Sequence, residues 1–430
     1  MRIFLIGSGG REHAIAWSLR STSSRPVEIF CAPGNAGIAQ IAQCVPIQAT
    51  NVEQLVEFAE RELINLSIVG GEAPLAAGIV DAFESRGLLI AGPSSAAAKL
   101  ESSKVFAKRF MSRHGIPTAR YEVATALDDA ITILRSGVFG DDEAQVVVKA
   151  DGLAGGKGVV VASSIEEAET AVRDMMIGGS VGKTAAESVV IEEALVGREA
   201  SLLLFSDGKN FALMPAARDH KRIGENDTGP NTGGMGAVTS PDVIDEKTLK
   251  LVVREIVEPS LEGARKDGIP FRGILFIGLM LTADGPKVLE YNVRFGDPET
   301  QAILVRLRSD LAAIFEAVAR GTLAQTTVEW SDESSACVVL AAGGYPANPR
   351  TGDRIVGLGN NLARKDVHIF HAGTAVSAAG ELVTAGGRVL CVTSSARSLD
   401  EALANCYAAI ETISWDEMQF RRDIGRFKGD

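Results

Sequence analysis

The stretch Lys287-Val288-Leu289-Glu290-Tyr291-Asn292-Val293-Arg294-Phe295-Gly296-Asp297-Pro298-Glu299-Thr300-Gln301 decides how the whole chain is read. It begins as a strand on Val288 and Leu289 and then turns polar. Alternate side chains of a strand face one way, so Glu290, Asn292 and Arg294 share a face. Two oxygen donors at that spacing suit a hard cation such as Mg²⁺. The plainer alternative is a polar strand end entering a turn. The rest of the chain has to choose between them.

With 430 residues the chain has room for about three domains. It is 46% hydrophobic, only 5% aromatic and carries 45 glycines, which fits an α/β enzyme rich in tight turns better than an all-β binding module. A net charge of −12 argues against nucleic acid as the main partner, although local basic residues can still hold a small phosphorylated molecule. The five cysteines are scattered without metal-site spacing, as in a reduced cytosolic protein. The N-terminus opens directly on a strand, Ile3 to Ile6, without a signal-peptide pattern. No apolar run approaches the ~20 residues of a membrane span. A soluble, cytoplasmic protein is the expectation.

Residues 1–100 alternate strands (3–6, 27–31, 66–69, 88–91) with helices (12–20, 51–61, 75–86), the pattern of a doubly wound parallel sheet. Three glycine-rich turns follow strands: Gly7-Ser8-Gly9-Gly10-Arg11-Glu12-His13, Pro33-Gly34-Asn35-Ala36-Gly37 and Gly70-Gly71-Glu72-Ala73-Pro74. In such sheets ligands bind at the carboxyl ends of the strands, so the turns should converge on one pocket. The first turn departs from the dinucleotide fingerprint: Glu12 stands at the third glycine position, and strand two lacks the ribose-binding acid. Its backbone N–H groups at a helix N-terminus can still hold a phosphate, with Arg11 as a charged partner.

A helix follows from Ser102 or Ser103 to His114, with Lys104 and Lys108 on one face. Residues 119–188 resemble a small separate module. Within it, strand 146–149 ends in Lys149, and Asp151-Gly152-Leu153-Ala154-Gly155-Gly156-Lys157-Gly158 leads into strand 159–161. This is not a Walker loop, because Gly158 follows Lys157 and the next element is a strand. It reads as a glycine flap able to close over phosphates. Further on come strands 189–191 and 200–205, a polar stretch from Asp219 to Gly236 read as an ordered loop, a helix over 245–266, strand 272–282, strand 287–293 and helix 298–307. Residues 326–430 read as an antiparallel sheet with a helix, mostly structural, closing a substrate pocket at most.

The order of these parts resembles the ATP-grasp superfamily. The segment Arg294 to Gln301 is similar to the signature of the phosphoribosylamine–glycine ligase family, and the likeness covers essentially the whole chain. The resemblance implies an N-terminal substrate-binding α/β domain (1–101), a two-part ATP-grasp domain (102–325, with 119–188 as a mobile lid) and a C-terminal α+β mixed-sheet domain (326–430). It implies ATP-driven joining of glycine to 5-phosphoribosylamine through a glycyl phosphate, in a monomer or weak homodimer that binds neither nucleic acid nor membrane. Other ATP-grasp carboxylate–amine ligases or carboxylases are the nearest alternative, and a nicotinamide dehydrogenase or a non-enzymatic nucleotide sensor are more distant ones.

Residue by residue, the resemblance places ATP against Lys104, Lys149, Gly155, Gly156, Lys157, Gly158, the strap Glu192-Glu193-Ala194-Leu195 and Glu199. Glu290 and Asn292 would hold Mg²⁺ or Mn²⁺, and strand 272–282 offers no acid to help them. Arg294 and Lys149 are the catalytic candidates. Gly9, Gly10, Arg11, Glu12, Asn35, Glu72, Asp219 and Asp297 would face the substrates. His13 and His220 read as structural, with an acid–base role as the alternative.

Overall fold

Strand β1 (Arg2–Gly7) forms on four consecutive apolar residues, Ile3 to Ile6, all fully buried. A strand covered on both faces reads as such a run, and burying each such side chain contributes about 1.5–3 kcal/mol. Helix α1 (Gly10–Thr22) follows it, then β2 (Glu28–Pro33), β3 (Gln43–Cys44), β4 (Leu66–Val69) and β5 (Ile90–Ala91). They make a parallel sheet in the order β3-β2-β1-β4-β5. The order reverses at β1, and the three glycine turns meet there: Gly34 N donates to Gly7 O at 3.1 Å and Gly70 N to Ile6 O at 2.9 Å. The helix expected over 75–86 is two pieces, Glu72–Ala76 and Ile79–Ser85, because Gly78 takes φ +82° between them. The computed structural model describes residues 1–153, 158–179, 187–361 and 366–427.

Helix α2 (Lys104–Arg113) starts at Ser103, whose Oγ accepts the Phe106 N–H at 3.0 Å. The next module has its own antiparallel sheet, built from β6 (Tyr121–Ala124), β7 (Val146–Ala150), β8 (Val159–Ala162) and β9 (Val189–Glu193) in the order β6-β9-β7-β8. Helices α3 (Leu127–Arg135) and α4 (Ile165–Met176) bury Ala130, Leu134, Ala168 and Val172 against it. This sheet runs to Glu193, beyond the expected end of the module at 188. Gly155, Gly156 and Lys157 of the flap lie outside the described residues.

A nine-stranded sheet organises the remainder. Its strands are β10 (Arg198–Asp207), β11 (Ala217–Asp219), β12 (Gly236–Thr239), β13 (Arg272–Thr282), β14 (Gly285–Asn292), β15 (Ser334–Ala341), β16 (Val367–His371) and β17 (Arg388–Ala396), with Phe211–Leu213 pairing on β10. The order is β14-β13-β10-β11-β12-β15-β17-β16, antiparallel throughout. Helix α5 (Glu299–Leu304) follows β14, and α6 (Leu399–Ile410) packs on β15 and β17. The long C-terminal strands β15, β16 and β17 therefore do not form a sheet of their own; β12 pairs with β15 and joins them to the core, while Thr374–Val376 and Leu382–Thr384 make a separate two-stranded sheet. The 245–266 helix is present with a π-helical turn at Val253–Val257, and the polar stretch after Asp219 contains a hairpin of Arg222–Gly224 with Thr228–Asn231. Among the described residues, no helix is long and apolar enough to cross a membrane.

Candidate active site

Two regions gather the nominated residues. The first lies on β14 and on the elements that reach it. Glu290 stands opposite Gly278 and Asn292 opposite Phe276 in the β13–β14 register. Burial raises the pKa of Glu290, but Lys221, Lys149, Lys104 and Arg294 outweigh it and hold the carboxyl below its usual range. Glu290 is thus an ionised carboxylate facing four cations. Lys149 arrives from the small module: its Nζ donates to Leu289 O at 3.0 Å and pairs with Glu192 Oε1 at 2.9 Å. Lys108 holds the other oxygen of Glu192 at 2.8 Å and donates to Thr118 Oγ1 at 2.7 Å. Burial, opposed by Glu192, brings Lys108 down to about 8. Lys104 donates to Gly152 O at 2.9 Å, and burial lowers it too.

The strap's side chains are spent on the fold, which leaves backbone for a nucleotide as expected of it. Glu192 is 1% exposed and its side chain clamps two lysines, so only backbone is left for a nucleotide at that position. Glu193 accepts the Arg120 N–H at 2.9 Å, and Ala194 N donates to Gln145 O at 3.3 Å. Glu199 pairs with Lys221 at 3.1 Å. Glu199 first, then Asp219 and Glu290 against the opposing burial, holds Lys221 well above its ordinary value. Arg294 is bracketed by Glu101 at 2.9 Å and Glu72 at 3.2 Å. Glu101 also accepts the Val293 N–H at 2.7 Å, which fixes the end of the strand.

The second region is a cleft of about 340 Å³ where the N-terminal turns meet the C-terminal strands. Gly9, Asn35, Asp297, Thr374 and Arg388 are among its lining residues. Asn35 spends its side chain on the fold: it donates to Ser8 O at 2.7 Å and His371 O at 2.8 Å and accepts from Gly37 N and Ile38 N at 2.9 Å. Glu12 is bonded within the first turn itself. It is 2% exposed, one oxygen accepts the Gly9 N–H at 2.5 Å, and the other accepts from Arg11 Nε at 2.7 Å. The carboxylate takes the N-cap N–H, one of the donors an anion at this helix N-terminus would use. Gly7, Gly9 and Gly70 surround it so closely that a Cβ on any of them would collide with its carboxyl end. The residue that breaks the dinucleotide fingerprint is thus the plug for which the glycines leave room. Gly10 packs on Gln301, and Arg11 reaches Phe295 O at 2.9 Å.

Arg388, read from sequence as part of a structural block, lines this cleft. It donates to Gly233 O at 2.5 Å and Asp297 O at 2.6 Å and pairs with the Asp297 carboxylate at 3.2 Å. Burial raises Asp297, but Arg388 and Arg11 outweigh it and keep the acid ionised. The two glycines before Arg388, at a strand start, are the one signal that could have found it. Lys221, Glu101 and Glu299 were also missed as site residues; each is a charged residue beside a nominated one. His13 and His220 are buried and bonded to backbone within the fold. His13 Nδ1 accepts the His371 N–H at 2.8 Å, and His220 Nε2 accepts the Gly425 N–H at 2.9 Å. A larger groove of about 500 Å³ beside Lys209 and Arg254 shares none of these residues, and Glu262 there is already paired with Arg265 and Lys266.

Glu290 and Asn292 fit a metal held partly by phosphate rather than a protein cage. Among the described residues no group of three or more His, Cys, Asp or Glu is placed to bind an ion by itself. Two strand donors among nearby cations leave the remaining coordination to phosphate oxygens and water.

Fold and site together define an ATP-grasp protein, and the middle of the chain, residues 102–300, matches the family model described as phosphoribosylglycinamide synthetase, ATP-grasp (A) domain. Residues 1–101 match the N domain and 335–427 the C domain of the same family. The chain belongs to the phosphoribosylglycinamide synthetase family. It is 49% identical over 428 residues to the phosphoribosylamine–glycine ligase of Xanthomonas axonopodis pv. citri, covering 99% of this chain and 97% of that one. It is 46% identical to that of Escherichia coli K12, covering 99% and 98%. The crystal structure of phosphoribosylamine–glycine ligase from Thermotoga maritima superposes with a TM-score of 0.83 at 36% identity, covering 98% of this chain and 100% of that one. A biotin carboxylase from Campylobacter jejuni, at 15% identity and a TM-score of 0.73 over 97% of this chain and 92% of that one, shares the fold.

Proposed function

We infer that the chain joins glycine to phosphoribosylamine with ATP as the driving substrate, an ADP-forming C–N ligation of purine biosynthesis. The observation that carries the reading is the ionised Glu290 with Lys104, Lys149, Lys221 and Arg294 gathered round it from separate elements, an arrangement suited to a metal-bound triphosphate. Phosphoryl transfer needs positioning and charge neutralisation more than a protein nucleophile. The glycine carboxylate takes the γ-phosphoryl group, and the ribosylamine nitrogen then displaces phosphate from the resulting glycyl phosphate.

Roles follow from position. Lys104 and Lys149 hold phosphates, and the backbone of Glu192 to Leu195 lies against adenine. Glu290 and Asn292 would hold Mg²⁺ or Mn²⁺, whose chemistry when bound is neutralisation of the triphosphate charge. Arg294, pinned between Glu72 and Glu101, presents its charge to the transferring group or the glycine carboxylate without moving. The cleft lined by Gly9, Asn35, Asp297, Thr374 and Arg388 takes the ribosylamine, with Arg388 rather than the first turn as its cationic end. Residues 119–188 act as lid over a three-domain body divided at 101 and 325. Five free cysteines support a reducing cytoplasmic setting, and a monomer or weak homodimer is the working state. The deciding assay is ADP release: it should require both glycine and phosphoribosylamine, and a rate indifferent to glycine would sink the reading.

A further inference from the structure

Lys221 reaches the phosphoryl region from a loop that cannot hold itself. Between β11 and β12 the chain makes the hairpin of Arg222–Gly224 with Thr228–Asn231. Its residues 225–231 are exposed, and a two-stranded hairpin without an apolar face is marginal on its own. At its tip Asn226 and Asp227 take φ +56° and +55°, the left-handed region that disfavours a residue with a Cβ. Such a turn persists only where its surroundings fix it. The fixing groups come from residues 421–427. Arg421 is 1% exposed. Its Nη1 donates to Arg222 O at 3.1 Å and to the Asp227 carboxylate at 2.8 Å. Its Nε and Nη2 fork onto Asp423 at 2.7 and 2.8 Å, and Asp423 also accepts the Asn226 N–H at 2.8 Å. Gly425 N donates to His220 Nε2 at 2.9 Å, and the Phe427 ring stacks on His220 at 4.2 Å.

Lys221 sits between these anchors. His220 before it is held by Gly425 and Phe427, and Arg222 after it by Arg421. Its own carbonyl accepts Thr232 N at 2.7 Å and Thr232 Oγ1 at 2.9 Å, which closes the stem of the loop. From this backbone its ammonium pairs with Glu199 at 3.1 Å and faces Glu290. We propose that Arg421 is a positioning residue for phosphoryl transfer: bound to Arg222 O and Asp227, it fixes the backbone from which Lys221 reaches the nucleotide. Arg421 touches no reacting group itself. A cation set in place before the reaction costs no reorganisation during it, so loosening its support weakens it although the charge remains. The proposal rests on the reading of the Glu290 region as the ATP site.

The test is a double-mutant cycle on the full chain, read as ADP release with all three substrates. Lys221→Met should lower kcat roughly 100-fold, the usual cost of one preorganised charge at a transferring group. Arg421→Met should lower it about 30-fold, short of the ~100-fold that a 1 Å misplacement can cost. The double variant should stay within about threefold of Lys221→Met alone, because Arg421 acts through Lys221; independent losses would multiply to about 3000-fold. Arg421→Lys, which returns the charge without the fork, should recover part of the turnover. A merely structural Arg421 would lower the denaturation midpoint and leave the kcat of the folded chain within about threefold. That result, or multiplied losses, overturns the proposal. Should Arg421→Met fail to fold, Asp227→Asn repeats the cycle from the loop side, since Asp227 is partly exposed and Asn tolerates its left-handed turn. It should lower kcat at least about fivefold and add nothing to Lys221→Met; a normal kcat overturns the proposal. Normal turnover in Lys221→Met removes Lys221 from the site, and the proposal with it. ADP release indifferent to glycine in the unmutated chain overturns the functional reading on which the proposal stands.

Discussion

The Glu290 region and the cleft beside Asn35 are held together by opposite means. In the first, charges from separate elements meet: Lys149 of β7 and Lys108 of α2 share Glu192, and Arg294 sits between Glu72 and Glu101. In the second, space decides: three glycines make a socket for Glu12, and Asn35 spends its hydrogen bonds on loops. The difference teaches that one site tolerates no loss of charge while its neighbour tolerates no gain of volume.

Mutations can set that contrast at risk. The largest effect should come from Glu290→Gln, which lowers kcat on the order of 1000-fold by removing charge aimed at the transferring group; near-normal turnover would remove Glu290 from the metal site. Glu192→Leu leaves Lys108 and Lys149 buried without their acid and should destabilise the fold by about 3–5 kcal/mol, read from the denaturation midpoint. A volume change in the other region should act on binding. Gly70→Ala pushes on Glu12 and should raise the KM for phosphoribosylamine about tenfold while leaving the KM for ATP alone, since a small misplacement near a site is costly. A parallel rise in both would erase the distinction between the regions.

The last effect concerns stability against pH. Burial, with His371 adding to it, lowers His13 to about 3, and burial lowers His371 to about 4, from an ordinary 6.5. Above 6.5 both are neutral folded or unfolded, so nothing changes there. Below 6.5 the unfolded chain takes up protons that the folded chain refuses. Stability should therefore fall as pH drops from 6.5 toward 4, by up to about 1.4 kcal/mol per pH unit for each histidine. A urea midpoint that stays flat between pH 7 and 5 would refute this.

Charge was the more legible language. The strand period placed Glu290, Asn292 and Arg294 together before any contact was known, and the βαβ pattern brought the three turns to one place. Glu12 was visible only as a failed motif, because a one-dimensional pattern does not show that Gly70 closes the far wall of its socket. Arg388 lies 91 residues from its carbonyl acceptor at Asp297, and only the β12–β15 pairing brings that part of the chain to the cleft. Glu299 stood in the quoted signature, but its burial and its neighbour Asp219 depend on how α5 lands on β11.

The continuity of the large sheet has a consequence for dissecting the protein. Strand β12 is an interior strand because β15 lies beside it. A chain cut after β14 and α5 would turn Gly236-Ala237-Val238-Thr239, fully buried here, into an unpaired edge with its N–H and C=O groups facing outward. Bare apolar edges recruit strands from other molecules. The isolated front half should therefore precipitate or pair with itself, while the small module, whose β6-β9-β7-β8 sheet closes within its own residues, is the piece that can be excised cleanly.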